Sequence, residues 1–148
     1  MRVLALLLLL SGCGGEQEQR AANVAQNEVV APRAPPPSPQ DVALSRSAAD
    51  ALRLYYDRIG RREWSAALAM REPAPGLTLE RFAANYERYA DYRATVGMPS
   101  LPARQNGAVW VQIPVQLYGR MRDGSPFGSV GMMMLRRDAG ERRWKILS

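Results

Sequence analysis

Val109-Trp110-Val111-Gln112-Ile113-Pro114-Val115-Gln116-Leu117-Tyr118 repeats with a period of two. Its odd-numbered positions are all apolar, while Trp, Gln, Pro, Gln and Tyr occupy the even ones. Successive side chains of a strand point to opposite faces, so this is one long strand with a wholly apolar face. Pro114 has no amide to give a ladder, which predicts a bulge or an edge position. Downstream, Asp123-Gly124 signals a turn, and Phe127 to Arg137 returns as a second long strand. Asp138-Ala139-Gly140-Glu141 turns again into a last strand, Trp144 to Leu147. Upstream, Tyr92 to Val96 reads as a short strand and Gly97 to Gly107 as a loop.

Before Ala90 the period is helical. Ser47-Ala48-Ala49-Asp50 has the form of a capping box, with Leu52, Tyr55, Tyr56 and Ile59 as the apolar stripe behind it. Gly60 is placed to end that helix. A shorter helix is expected over Glu63 to Arg71, stopped by Pro73 and Pro75. Thr78 can cap a third helix whose stripe runs Leu79, Phe82, Ala83, Tyr86, Tyr89. The expectation is an α+β domain: three N-terminal helices, then an antiparallel meander of about four strands.

The 148 residues carry a net charge of +6, no histidine and one cysteine. That excludes His general bases, Cys–His nucleophiles, intrachain disulfides and His/Cys metal clusters, so no metal or cofactor is expected. Met1-Arg2 precedes an apolar run, Val3 to Leu10, that is far short of the ~20 residues a spanning helix needs. Its length and flanks are those of a secretory signal. Leu10-Ser11-Gly12-Cys13 resembles the lipobox of bacterial lipoproteins, which implies diacylglyceryl transfer to the Cys13 thiol and removal of residues 1–12. Gly14, in place of the Asp associated with inner-membrane retention, implies the periplasmic leaflet of the outer membrane by the same resemblance. Residues 13–40, polar and then proline-rich (Ala31 to Pro39), form an expected disordered tether, which leaves 41–148 as the folded domain. Nucleic acid is disfavoured as a partner because the export signal takes the chain away from it.

Three helices followed by a bent antiparallel sheet is similar to the nuclear-transport-factor-2-like superfamily and its ketosteroid-isomerase-like relatives. The local resemblance lies in Leu54-Tyr55-Tyr56-Asp57-Arg58-Ile59-Gly60-Arg61-Arg62-Glu63-Trp64-Ser65-Ala66-Ala67-Leu68 and in the terminal Trp144-Lys145-Ile146-Leu147. It covers about residues 45 to 148 and implies a cystatin-like cone, its curved sheet wrapped around the helices with a pocket at the open end. Tyr55 falls close to the hydrogen-bonding tyrosine of the isomerases. Their strand-borne carboxylates have no match, since no acid lies between Ala108 and Arg122 or between Ser125 and Arg137. An isomerase without its base would forgo about 10²–10⁴-fold of catalysis.

Tyr55, Tyr86, Tyr89, Trp110, Gln112, Tyr118 and Met132 are the candidate pocket lining, with core packing the alternative for the aromatics. Met132-Met133-Met134 alternates across a strand, so core or pocket lining is expected of it and not metal binding. The domain holds 17 basic and 11 acidic residues. Arg136, Arg137, Arg142, Arg143 and Lys145 flank one hairpin as a candidate anion patch, the alternative being a solvated basic face. Two functional classes result. One is a non-catalytic binding or assembly module, anchored in the membrane by its lipid, whose partner is an envelope protein, a small molecule or a second copy of the chain. The other is a small-molecule enzyme using the cone pocket.

Overall fold

Residues 35–147 are described in the computed structural model of this chain, so the signal segment, Cys13 and the tether as far as residue 34 lie outside the described residues. Three helices come first: α1 (Pro39–Gly60), α2 (Trp64–Leu68) and α3 (Leu79–Ala84). Five strands follow: β1 (Tyr89–Val96), β2 (Ala103–Gln105), β3 (Ala108–Met121), β4 (Pro126–Asp138) and β5 (Lys145–Leu147). The antiparallel sheet runs β1-β3-β4-β5, with β2 paired to the start of β3. It curls into a half-barrel around α1, so the expected α+β cone is the observed one.

The first helix begins eight residues before Ser47. Its N-cap is Ser38, whose hydroxyl oxygen accepts from the Asp41 amide at 3.1 Å, with Pro39 pre-set for the first turn. Ser47 is therefore mid-helix: it donates to the Leu44 carbonyl at 2.8 Å and accepts from the Trp144 indole N–H at 3.0 Å. Gly60 does not end the helix by turning left-handed; Arg62 takes the positive φ of 62°. Gly60 instead permits a close approach, since a Cβ there would stand 3.3 Å from the Tyr92 carbonyl of β1. The buried face of α1 runs Ser45, Ala48, Ala49, Leu52, Tyr55, Tyr56, Ile59, one stripe at helical spacing.

The cap makes a stability prediction. Replacing Ser38 with Ala should cost about 1 kcal/mol, which is several degrees of melting temperature for a domain this size. A chain starting at Pro35 should melt with the full chain, and one starting at Gln40 should melt lower because the cap is gone. Equal melting of the two shortened chains would contradict this placement of the helix start.

Along β3, Val111, Ile113 and Val115 are buried against the helices and Gln112, Pro114 and Gln116 are exposed. Pro114 is accommodated because β1 ends where it begins. The last β1 residue, Val96, pairs with Val115, and the chain then leaves as a loop whose Gly97 amide donates to the Pro114 carbonyl at 2.8 Å. The side of Pro114 that lacks an amide faces that loop, so an otherwise central strand is locally an edge. Buried Ser45 of α1 fixes the same loop by donating to the Ser100 carbonyl at 2.7 Å. Other boundaries differ from expectation: the expected loop Gly97 to Gly107 contains the short strand β2, because residues 103–105 turn back to pair with Ala108 to Trp110. The third helix stops at Ala84, so Tyr86 lies in the turn after it and Tyr89 opens β1. The second is one turn and a half, ending at Leu68.

Candidate functional site

The interior of the cone is filled. Tyr55, Tyr56, Trp64, Phe82, Tyr86, Tyr89, Tyr92 and Phe127 form one continuous set of ring contacts, with centroids 4.5–6.5 Å apart. These are eight of the eleven aromatic residues in the sequence. Edge-to-face and stacked pairs of this kind add about 0.5–1.5 kcal/mol each beyond the area they bury. One small cavity between Trp64, Tyr86 and Tyr92 measures about 20 Å³, room for a single water, while the other side of Trp64 borders an open groove of about 660 Å³ with Arg62, Glu87, Arg88 and Arg122.

Two of the tyrosine hydroxyls inside the cone meet, and an arginine joins them. The Tyr55 and Tyr86 hydroxyls are 3.3 Å apart, and Arg71 donates through Nη1 to the Tyr55 hydroxyl at 3.3 Å. Burial raises the Tyr86 and Tyr56 phenols well above the ordinary range, and burial with Tyr89 close by pushes Tyr92 up to about 12. At neutral pH all three are donors and not phenolate bases. No acidic side chain occupies an inward position of β3 or β4. Tyr55 is thus present without the carboxylate that proton transfer would need.

Only part of the candidate lining comes together. Tyr55, Tyr86 and Tyr89 meet the aromatic core. Trp110, Gln112, Tyr118 and Met132 stand on the opposite, outer face of the sheet, with Tyr118 39% and Met132 60% exposed. The curl of the sheet does not turn that face inward, so these four are not pocket residues. The methionines divide by strand alternation. Met132 and Met134 point out, and Met133 packs on the core.

The anion patch divides in the same way. Arg136 faces outward and is neutralised by Glu72 at 3.3 Å and Asp138 at 3.0 Å; Lys145 pairs with Asp138 at 3.2 Å and Glu141 at 3.5 Å. Hydrogen bonds from Arg136 and then Lys145 hold the Asp138 carboxyl below the usual carboxylate range. Arg137, Arg142 and Arg143 open instead onto a groove of about 1020 Å³, where α1, the segment 69–73 and the β4–β5 hairpin meet and which Lys145 also borders. Sequence reasoning missed Arg58 and Arg71, which the packing of α1 and a parallel bridge between Arg71 and Ile146 bring to the same groove. No local motif could have joined residues so distant in the chain.

No family model matches the chain, and no curated protein matches it. Solved structures do. One is a protein of Novosphingobium aromaticivorans assigned as an aromatic ring hydroxylase, at TM-score 0.55 and 13% identity over 74% of this chain and 87% of that one. Another is a nuclear transport factor 2-like superfamily protein of Salmonella enterica serovar Typhimurium, at TM-score 0.52 and 11% identity over 70% and 86%. A third is the beta subunit assigned to an aromatic-ring-hydroxylating dioxygenase of N. aromaticivorans, at TM-score 0.53 and 9% identity over 70% and 84%. Identities this low carry the fold alone: the chain has the nuclear-transport-factor-2-like cone.

Proposed function

We propose that this chain is a lipoprotein, anchored through Cys13 in the periplasmic leaflet of the outer membrane, whose cone domain is a non-catalytic binding or assembly module. The observation that carries the second half is the filled cone. A small-molecule enzyme on this fold needs a cavity and an inward base, whereas the aromatic set occupies the space and the inward strand positions offer no acid. Similarity to a beta subunit, a protein that works within an assembly, supports the same reading. The outer sheet face suits a second copy of the chain. Pro114, Val130 and Met132 are exposed there, and the uncharged stripe from Gln112 to Tyr118 lets two basic domains meet without opposing charges.

The anchoring half rests on Leu10-Ser11-Gly12-Cys13 following an apolar run too short to span. Two or three acyl chains give stable attachment where one would be marginal. Mass spectrometry of the N-terminal peptide, taken from protein purified from its own envelope, should find the chain starting at an acylated Cys13. An unmodified Cys13, or cleavage elsewhere, would sink the claim. A native mass spectrum of the same material should show the module with its partner or ligand, and its stoichiometry.

A further inference from the structure

The groove outside the cone combines two chemistries that one ligand class satisfies. Its cationic lining is Arg58, Arg71, Arg137, Arg142, Arg143 and Lys145, and among the described residues none of the five arginines is ion-paired, whereas Lys145 is. Its one acid, Glu141, is already matched by Lys145 at 3.5 Å. Arg58 uses Nη1 on the Ala66 carbonyl and Arg71 uses Nη1 on Tyr55, while the buried Nε of Arg71 has no partner at all. Arg137 lies over the Trp144 ring at 5.0 Å, which leaves the edge of its guanidinium free to donate. Apart from Ser47, the remaining lining is apolar: Ala51, Leu54, Ala69, Met70, Pro73 and Trp144. Leu54 is 45% exposed on a helix whose other large apolar side chains are mostly buried.

We propose that this groove binds a single anionic phospholipid, the phosphate held by the arginine forks and the first part of the acyl chains lying on Leu54, Met70 and Trp144. Guanidinium groups take phosphate oxygens two at a time, which favours a phosphate over a dispersed charge. About 1020 Å³ is at the upper end of the ~300–1,000 Å³ range of small-molecule pockets, a volume for an amphiphile and not for a bare ion. A lipid is favoured over an acidic protein segment because apolar surface lies beside the arginines. A tether of residues 13–38 would also hold the groove within ~80–90 Å of a bilayer. That last point rests on the proposed anchoring. Binding in the groove does not, and the two fail separately: a groove that binds nothing leaves the acylation of Cys13 and the packing of the cone as they are.

The test uses the full chain in phosphatidylcholine nanodiscs, with tryptophan fluorescence reporting through Trp144. Dihexanoyl-phosphatidylglycerol should give a saturable change. Dihexanoyl-phosphatidylcholine should bind at least tenfold more weakly, and inorganic phosphate should give no change over the same range. Arg142→Ala combined with Arg143→Ala, both exposed positions, should weaken the phosphatidylglycerol response at least tenfold with an unchanged melting temperature. Equal binding of the two lipids, or an unaffected double variant, would overturn the proposal. So would inorganic phosphate that competes as well as the lipid, which would make the groove an ion site only. An oligoglutamate peptide that displaces the lipid more effectively would assign the groove to an acidic protein segment instead.

Discussion

Replacing Ile113 with Asp should leave little or no folded domain. Ile113 is completely buried at the middle of β3, paired with Met133 of β4 and facing α1. A carboxylate there has no cation or donor within the apolar core, and burying a polar group unpaired costs several kcal/mol, more if it stays charged. Against a total stability of about 5–15 kcal/mol, that one change removes a large share or all of it. The neighbouring substitution Gln112→Ala should cost within about 1 kcal/mol, because its side chain is on the outer face. Its backbone amide keeps its bond to the Ser100 hydroxyl at 3.0 Å whatever the side chain. Soluble yield and thermal melts of the two variants decide the matter. An Ile113→Asp protein that melts like the parent would mean that the register of β3 is wrong.

The second large effect is expected at Phe82. Its ring is 1% exposed and meets Tyr55, Trp64 and Tyr86 with centroids 5.3–6.5 Å apart. Truncation to Ala in a packed interior removes the transfer energy of the ring and leaves a hole the neighbours cannot fill, together about 3–5 kcal/mol. If the cone were an open, hydrated pocket, the ring would already be partly in water and its loss would cost much less. Denaturant melts of Phe82→Ala therefore distinguish a filled cone from a ligand cavity. A loss below about 1 kcal/mol would point to the cavity.

The strands were legible in the sequence and the site was not, for a physical reason. Val109 to Tyr118 announces itself because strand periodicity is local, and both faces of β3 fall as that alternation requires. Thr78 was legible as a cap for the same reason, and it accepts from the Arg81 amide. Ser38-Pro39 carries an equally good cap signal but sits at the end of a proline-rich run, where composition argued for tether and hid it. The tyrosines could be named as inward or outward only after the sheet curled. Alternation places Tyr118 and Gln112 on a face, and the curl decides which face encloses anything. Arg58 and Arg143 share one groove across 85 positions of chain, a relation that no spacing rule encodes.

Aromatic side chains pack the inside of the cone, and their ionisation reports whether water reaches it. A spectrophotometric titration of the six tyrosines measures this. Burial lifts the folded-state values of Tyr56, Tyr86 and Tyr92 above the unfolded value of 10.0, so the stability they confer is intact below pH 10 and is lost as the pH rises through the folded-state values. These three should stay protonated as the pH passes 10 while circular dichroism remains native. Their phenolate absorbance should appear only together with unfolding. Ionisation of all six near pH 10 with the fold intact would contradict this packing, because water would then reach the interior and the cone would be an open pocket.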